Sequence, residues 1–124
     1  MSVSAGLTRV LLIEPKGVDA ALFRQMLQQV APQVELTHVT SLADWPPHDP
    51  AQVVLVNAWL LGDAGWPAWR QGFQGPLFGW GQDLTAVHRD QAAAARMTLL
   101  AKPDQFNSMR TFVQDFLTRS GLKA

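Results

Sequence analysis

Two runs of four consecutive aliphatic residues constrain this chain more than any other feature: Val10-Leu11-Leu12-Ile13 and Val53-Val54-Leu55-Val56. A strand with one wet face alternates apolar and polar residues, whereas an unbroken apolar run of this length reads as a strand covered on both faces. Glu14-Pro15 stops the first run. A helical pattern over Val18 to Ala31 follows, with Val18, Leu22, Met26 and Val30 spaced along one face and Pro32 as its end. Val34 to Thr40 alternates loosely and predicts a second strand, nearer an edge. Ser41 predicts a short helical turn, limited by Pro46, Pro47 and Pro50. After the second apolar run, Asn57 to Gly65 is rich in turn formers, and Trp66 to Phe73 predicts a short helix with Pro67 in its first turn. Leu77-Phe78-Gly79-Trp80 predicts a strand weakened by Gly79. Asp83 is expected to cap a helix over Leu84 to Arg96, Met97 to Ala101 predicts a fifth strand, and Asp104 is expected to cap a last helix. In that helix Phe106, Met109, Phe112, Val113, Phe116 and Leu117 form an apolar stripe, and Gly121 suits its stop.

Strands that alternate with helices imply a parallel sheet, because parallel neighbours need crossover connections. Right-handed crossovers then put helices on both faces, and the working site falls at the carboxyl ends of the strands. The segments there are Glu14-Pro15, Asn57 to Gly65, Gly81-Gln82 and Lys102-Pro103. Composition narrows what such a site can do. Apolar residues make up 48% and charged residues 16% of 124, which suits one domain with a buried core. Ten Lys+Arg balance ten Asp+Glu, so no basic excess supplies a nucleic-acid face or a polybasic membrane patch. The absence of Cys excludes disulfides, thiolate metal sites and a Cys nucleophile. No apolar run approaches the roughly 20 residues of a membrane helix. The first ten residues lack the apolar stretch of a signal peptide, so a cytoplasmic protein is expected.

The strand-end segments resemble the receiver domain of two-component response regulators. The resemblance implies one receiver-like domain over 1–124, with its core at about 9–119. It implies a flavodoxin-like (βα)5 three-layer sandwich: a five-stranded parallel sheet of order 2-1-3-4-5 with helices on both faces. Receivers carry an acidic pair after the first strand, where this chain has Glu14-Pro15. They carry the phosphorylated Asp after the third strand, where Asn57 stands; Leu61-Gly62 and Ala64-Gly65 echo the turns that follow. A Thr or Ser belongs after the fourth strand, where Gly81 lies. A Lys followed by a cis-Pro ends the fifth strand, and Lys102-Pro103 matches. Leu99 takes the place of the aromatic switch residue.

The departures bear on chemistry. Receivers move a phosphoryl group onto the Asp with a Mg²⁺ neutralising the developing charge. An Asn carboxamide is a poor nucleophile, Pro15 supplies no carboxylate for a metal, and Gly81 supplies no hydroxyl. The pocket of Glu14, Pro15, Asn57, Gly81, Lys102 and Pro103 therefore reads as degenerate, with no catalytic residue, no metal and no cofactor expected. Glu14 and Lys102 are expected to pair. Such a pair either holds one state permanently or, half-exposed at the strand ends, has little net energetic effect; the exposure favours the second. Asp63 is a second acid in the same loop and reads as a solvated turn residue.

Four of the five tryptophans, Trp59, Trp66, Trp69 and Trp80, lie in or beside the strand-end segments. Together they are a candidate interaction surface, with core packing as the competing reading for each. His38, His48 and His88 are scattered without metal spacing, and Arg70, Arg89, Arg96, Arg110 and Arg119 read as solvated helix faces. The expected function is a receiver-like signalling module that acts without phosphorylation and is not an enzyme. It would bind a protein partner, an attached output domain or a second copy of itself. In receivers such contacts use the face of the fourth helix, fifth strand and fifth helix, here Val87 to Ala95, Leu99 to Ala101 and Gln105 to Arg119. Two alternatives stay open: a flavodoxin-like domain that binds a small molecule, and a receiver phosphorylated at Asp63 or Glu14.

Overall fold

The computed structural model describes residues 8–44, 53–62 and 64–121, without the side chains of Thr8 and Phe106. Asp63, His48, Pro46, Pro47 and Pro50 lie outside the described residues. Among the described residues five strands, β1 (Thr8–Ile13), β2 (Val34–Val39), β3 (Val53–Asn57), β4 (Leu77–Gly81) and β5 (Thr98–Ala101), form one parallel sheet in the order β2-β1-β3-β4-β5. Among the described residues four helices, α1 (Gly17–Val30), α2 (Trp66–Gly72), α3 (Ala86–Ala94) and α4 (Phe106–Ser120), cover it. Between β2 and β3 the described residues hold one 3-10 turn, Leu42–Asp44, and a second 3-10 turn, Ala58–Gly62, follows β3. Among the described residues no helix is long and apolar enough to cross a membrane.

The two aliphatic runs do what an unbroken run must do: each sends alternate residues into separate cores. Val10, Leu12, Val53 and Leu55 face α1 and α4, while Leu11, Ile13, Val54 and Val56 face α2 and α3. β4 divides in the same way but unequally. Phe78 and Trp80 fill the α1/α4 side. Gly79 faces the other side, where a Cβ would run into the Met97 side chain and stand 3.2 Å from Leu99 Cδ1. Gly79 thus admits a close neighbour and does not merely weaken the strand. An aromatic cluster closes the first core, with Phe23 edge-on to Trp80, Phe112 and Phe116 at centroid distances of 5.6, 6.3 and 5.7 Å.

Several boundaries and faces differ from the expectation. α1 buries Ala20, Phe23, Met26 and Leu27, and Val18 is 73% exposed. Residues spaced by four drift about 40° per step, so the stripe with mixed spacings of three and four wins the core. α3 is capped by Thr85 and not by Asp83, whose φ of 55° puts it in the left-handed region ahead of the helix. Gln105, not Asp104, is the N-cap residue of α4. The α4 stripe from Met109 to Leu117 is buried, and Gly121 ends the helix at φ 82°. Arg70 is no solvated arginine. Its Nε donates to Ala95 O at 2.7 Å and its Nη1 to Phe73 O, so one guanidinium serves carbonyls just beyond the C-terminal ends of α3 and α2. Partial burial, and then the neighbouring Arg96, hold that guanidinium below its ordinary pKa.

Candidate functional site

Parallel pairing brings the carboxyl ends of β1, β3, β4 and β5 to one rim. Ile13 pairs with Val56, Asn57 with Trp80, and Gly81 with Ala101. The ladder continues one residue past two strands, since Glu14 N donates to Val39 O at 2.9 Å and Lys102 N to Gly81 O at 3.0 Å. Those two bonds fix the backbone that carries an acid and an amine inward, and both residues are buried.

The Glu14 carboxylate is fully enclosed and is engaged by three hydrogen bonds and one ion pair. Oε1 takes Lys102 Nζ at 2.9 Å and Asn57 Nδ2 at 3.2 Å; Oε2 takes Asn57 Nδ2 at 3.0 Å and Lys16 N at 3.0 Å. Asn57 is tied at its other end, where Oδ1 accepts from Trp59 N at 2.9 Å. The amide is thus oriented with its NH₂ toward the carboxylate. Lys102 has a second partner that the strand-end pattern does not include: Asp19 Oδ2 at 2.9 Å. Asp19 stands in the first turn of α1, where the helix N-terminus favours a negative charge. The Lys102 ammonium also lies 4.9 Å from the centroid of Trp80.

The ion pair is therefore not half-exposed. The Lys102 and Glu14 side chains are 3% and 0% exposed. In that setting a charge left without its partner costs about 3–5 kcal/mol, far more than a surface pair is worth. The Lys102-Pro103 peptide is trans. Pro15 is exposed and touches none of this network through a polar group. Gly81 is buried beneath two side chains: a Cβ there would stand 2.8 Å from Leu84 Cδ2 and 3.6 Å from Trp59 Cδ1. Gly81 offers no hydroxyl, and the space a side chain would need there is taken.

The four tryptophans do not make one surface. Trp66 and Trp69 stack at 5.6 Å inside the α2/α3 core, and Trp80 is fully buried in the other core. Trp80 Nε1 has no hydrogen-bond partner among the described residues. Trp59 alone of the four is exposed, at 56%. It bridges the mouth of the site: its indole N–H donates to Gln82 O at 3.2 Å, and its ring packs on His88 at 4.3 Å. His88 is buried and belongs to the α3 cap, its Nδ1 accepting from Thr85 N at 3.0 Å. Pro15, Lys16, Asn57, Trp59, Gln82 and Lys102 surround a cleft of about 360 Å³. A larger one, about 760 Å³, opens beside it between the start of α3 and β5.

A divalent cation does not fit these residues. Mg²⁺ is held through one or two carboxylates with free oxygens. Here both Glu14 oxygens are filled by donors, Asp19 accepts from Lys102, and Asn57 turns its NH₂ to the site. Among the described residues no group of three or more His, Cys, Asp or Glu is placed to hold a metal.

Sheet order and the placement of these groups at the strand ends define a class, the flavodoxin-like fold of receiver domains. Solved structures of that class superpose on the chain. It is similar to a response regulator receiver protein from Burkholderia phymatum, at a TM-score of 0.71 and 18% identity over 94% of this chain and 98% of that one. It is similar also to a CheY-like response regulator from Mesorhizobium loti, at 0.69 and 16% identity over 88% and 97%. A third likeness is to a response regulator in red light signaling of R. palustris, at 0.68 and 12% identity over 89% and 91%. No protein-family model matches the sequence, and no curated protein matches it.

Proposed function

We propose that the chain is a signalling module that works through protein–protein contacts, without aspartyl phosphorylation and without enzymatic activity. Asn57 carries this reading. It stands at the end of β3, where a receiver has its phospho-acceptor, and both ends of its amide are engaged, by Glu14 and by Trp59 N. An amide so held offers no nucleophile. Glu14, the nearest carboxylate, is fully enclosed and saturated with donors, which argues against its serving as a substitute acceptor. Gly81 provides no hydroxyl. The module's state is then set by the chain's own charges, and its output depends on which partner it meets.

The face proposed for that partner is formed by α3, β5 and α4. The 760 Å³ cleft opens on it, lined by Leu84, Arg89, Leu99, Ala101 and Asp104 among others. Two large exposed apolar side chains stand near it, Trp59 over Gln82 and Val87 in the first turn of α3. Exposed aromatics and arginines are the residues from which binding surfaces draw most of their energy. The occupant is a protein partner, an attached output domain or a second copy of the chain.

The test is incubation with acetyl phosphate and Mg²⁺ followed by intact mass, with sedimentation velocity on the same sample. No phosphoryl adduct is expected, and the sedimentation coefficient should not change on treatment. An adduct mapped to Asp63 or Glu14 would overturn the reading.

A further inference from the structure

The buried amine at the centre of the network is held by two carboxylates and an aromatic ring. An ammonium has three N–H donors and no acceptor. Two of those of Lys102 meet carboxylates, Glu14 Oε1 and Asp19 Oδ2, each at 2.9 Å. The ammonium also lies over the Trp80 ring, 4.9 Å from its centroid. Indole is the best of the aromatic faces for a cation. The two carboxylates come from β1's end and from the first turn of α1, and the amine comes from β5's end, so the charge joins the start of the chain's fold to its last strand.

We infer that the Lys102 ammonium is a resident cation, standing between the two carboxylates that would otherwise make a divalent-metal site. The inference reaches beyond the lack of phosphoryl transfer, because it says why a metal does not enter and what would admit one. A hydrated divalent ion must displace a tethered charge whose partners are already at hydrogen-bond distance. Removing that charge frees one lone pair of Glu14 Oε1, whose other stays with Asn57 Nδ2, and Asp19 Oδ2 to share a metal, with water completing the shell. Asn57 and Lys16 N remain on Glu14 and keep its carboxylate in place.

The experiment is a Mn²⁺ titration of the full chain and of Lys102→Met, read by water-proton relaxation. The wild-type protein is expected to show no saturable binding into the millimolar range. Lys102→Met is expected to bind on the order of tenfold more tightly or better. Adding Asp19→Asn to that variant should abolish the gain. A folded Lys102→Met protein with no gain would overturn the inference, and so would saturable binding by the wild type. If Lys102→Met fails to fold, the wild-type protein decides by itself. Its Lys102 ammonium should give a slowly exchanging ¹⁵N resonance that Mn²⁺ leaves sharp, and broadening of that resonance would refute the proposal. A wild-type protein that binds Mn²⁺ yet takes no phosphoryl group would sink this inference and leave the proposed function standing.

Discussion

Replacing Asn57 by Asp introduces the acid that the receiver resemblance leads one to expect there, and the structure gives reason to expect harm from it. The amide nitrogen now lies 3.2 and 3.0 Å from the two oxygens of Glu14. A carboxylate oxygen in that place removes a donor and sets two like charges about 3 Å apart, a repulsion of about 5 kcal/mol at an effective dielectric near 20. Lys102 relieves little of it, being already shared between Glu14 and Asp19. The folded chain has a cheaper escape, which is to keep the introduced carboxyl protonated. From an ordinary Asp value near 3.9, that costs about 4 kcal/mol at pH 7. The smaller cost prevails, so Asn57→Asp should lose about 4 kcal/mol at neutral pH, a large share of the roughly 5–15 kcal/mol typical of a domain. The sign with pH follows. The folded state holds a proton that the unfolded state releases, so relative stability falls as pH rises from about 4 to 7, by about 1.4 kcal/mol per unit. Urea unfolding followed by tryptophan fluorescence at pH 5, 6 and 7 measures this. The deficit should shrink to about 1.5 kcal/mol at pH 5, and Mg²⁺ should not recover it at pH 7. A variant as stable as the wild type at pH 7, or a deficit independent of pH, would refute the reasoning.

Other changes test other parts of the structure. Arg96 holds φ at 56° just past α3 and crowds Arg70; Arg96→Gly should raise stability by about 0.5–1 kcal/mol, seen as a higher melting temperature. Gly81→Ser forces the end of the Leu84 side chain away from a contact of 2.8 Å. It should cost about 1–2 kcal/mol in urea unfolding and shift the emission of the neighbouring Trp59. Phe116 is fully buried against Phe23 and Phe78, at 5.7 and 5.2 Å; Phe116→Ala should cost about 3–5 kcal/mol in the same assay.

The sheet was legible because its signal is local. Four aliphatic residues in a row admit few arrangements besides a strand between two layers, and strand order then followed from the receiver resemblance. The site was legible in part for the same reason, since Glu14, Asn57, Gly81 and Lys102 each sit at or next to a strand end. Asp19 was not, because it belongs to the first turn of a helix and not to a strand end. Its signal was nonetheless present: an acid in the first turn of the helix after β1 is carried to the carboxyl rim. Residue type also misled for the tryptophans. Which side of a layer a Trp occupies depends on its register. For Trp80 the flanking Gly79 and Gly81 held the clue, small residues on one face and the large ring on the other. The depth of the Glu14–Lys102 pair had no sequence signal, because it is set by how Trp59, Asn57 and α1 close around it.

The Arg70 guanidinium has a mechanical consequence. By holding Phe73 O and Ala95 O together it ties the trailing ends of α2 and α3 into a single plate on one side of the sheet. On the opposite side the interlocked rings of Phe23, Phe112 and Phe116 do the same for α1 and α4. A partner that grips α3 therefore pulls on a two-helix slab, and its leverage reaches α2 before it reaches α1. Displacements caused by binding should divide by layer, with α2 and α3 shifting in concert while α1 and α4 stay with the sheet.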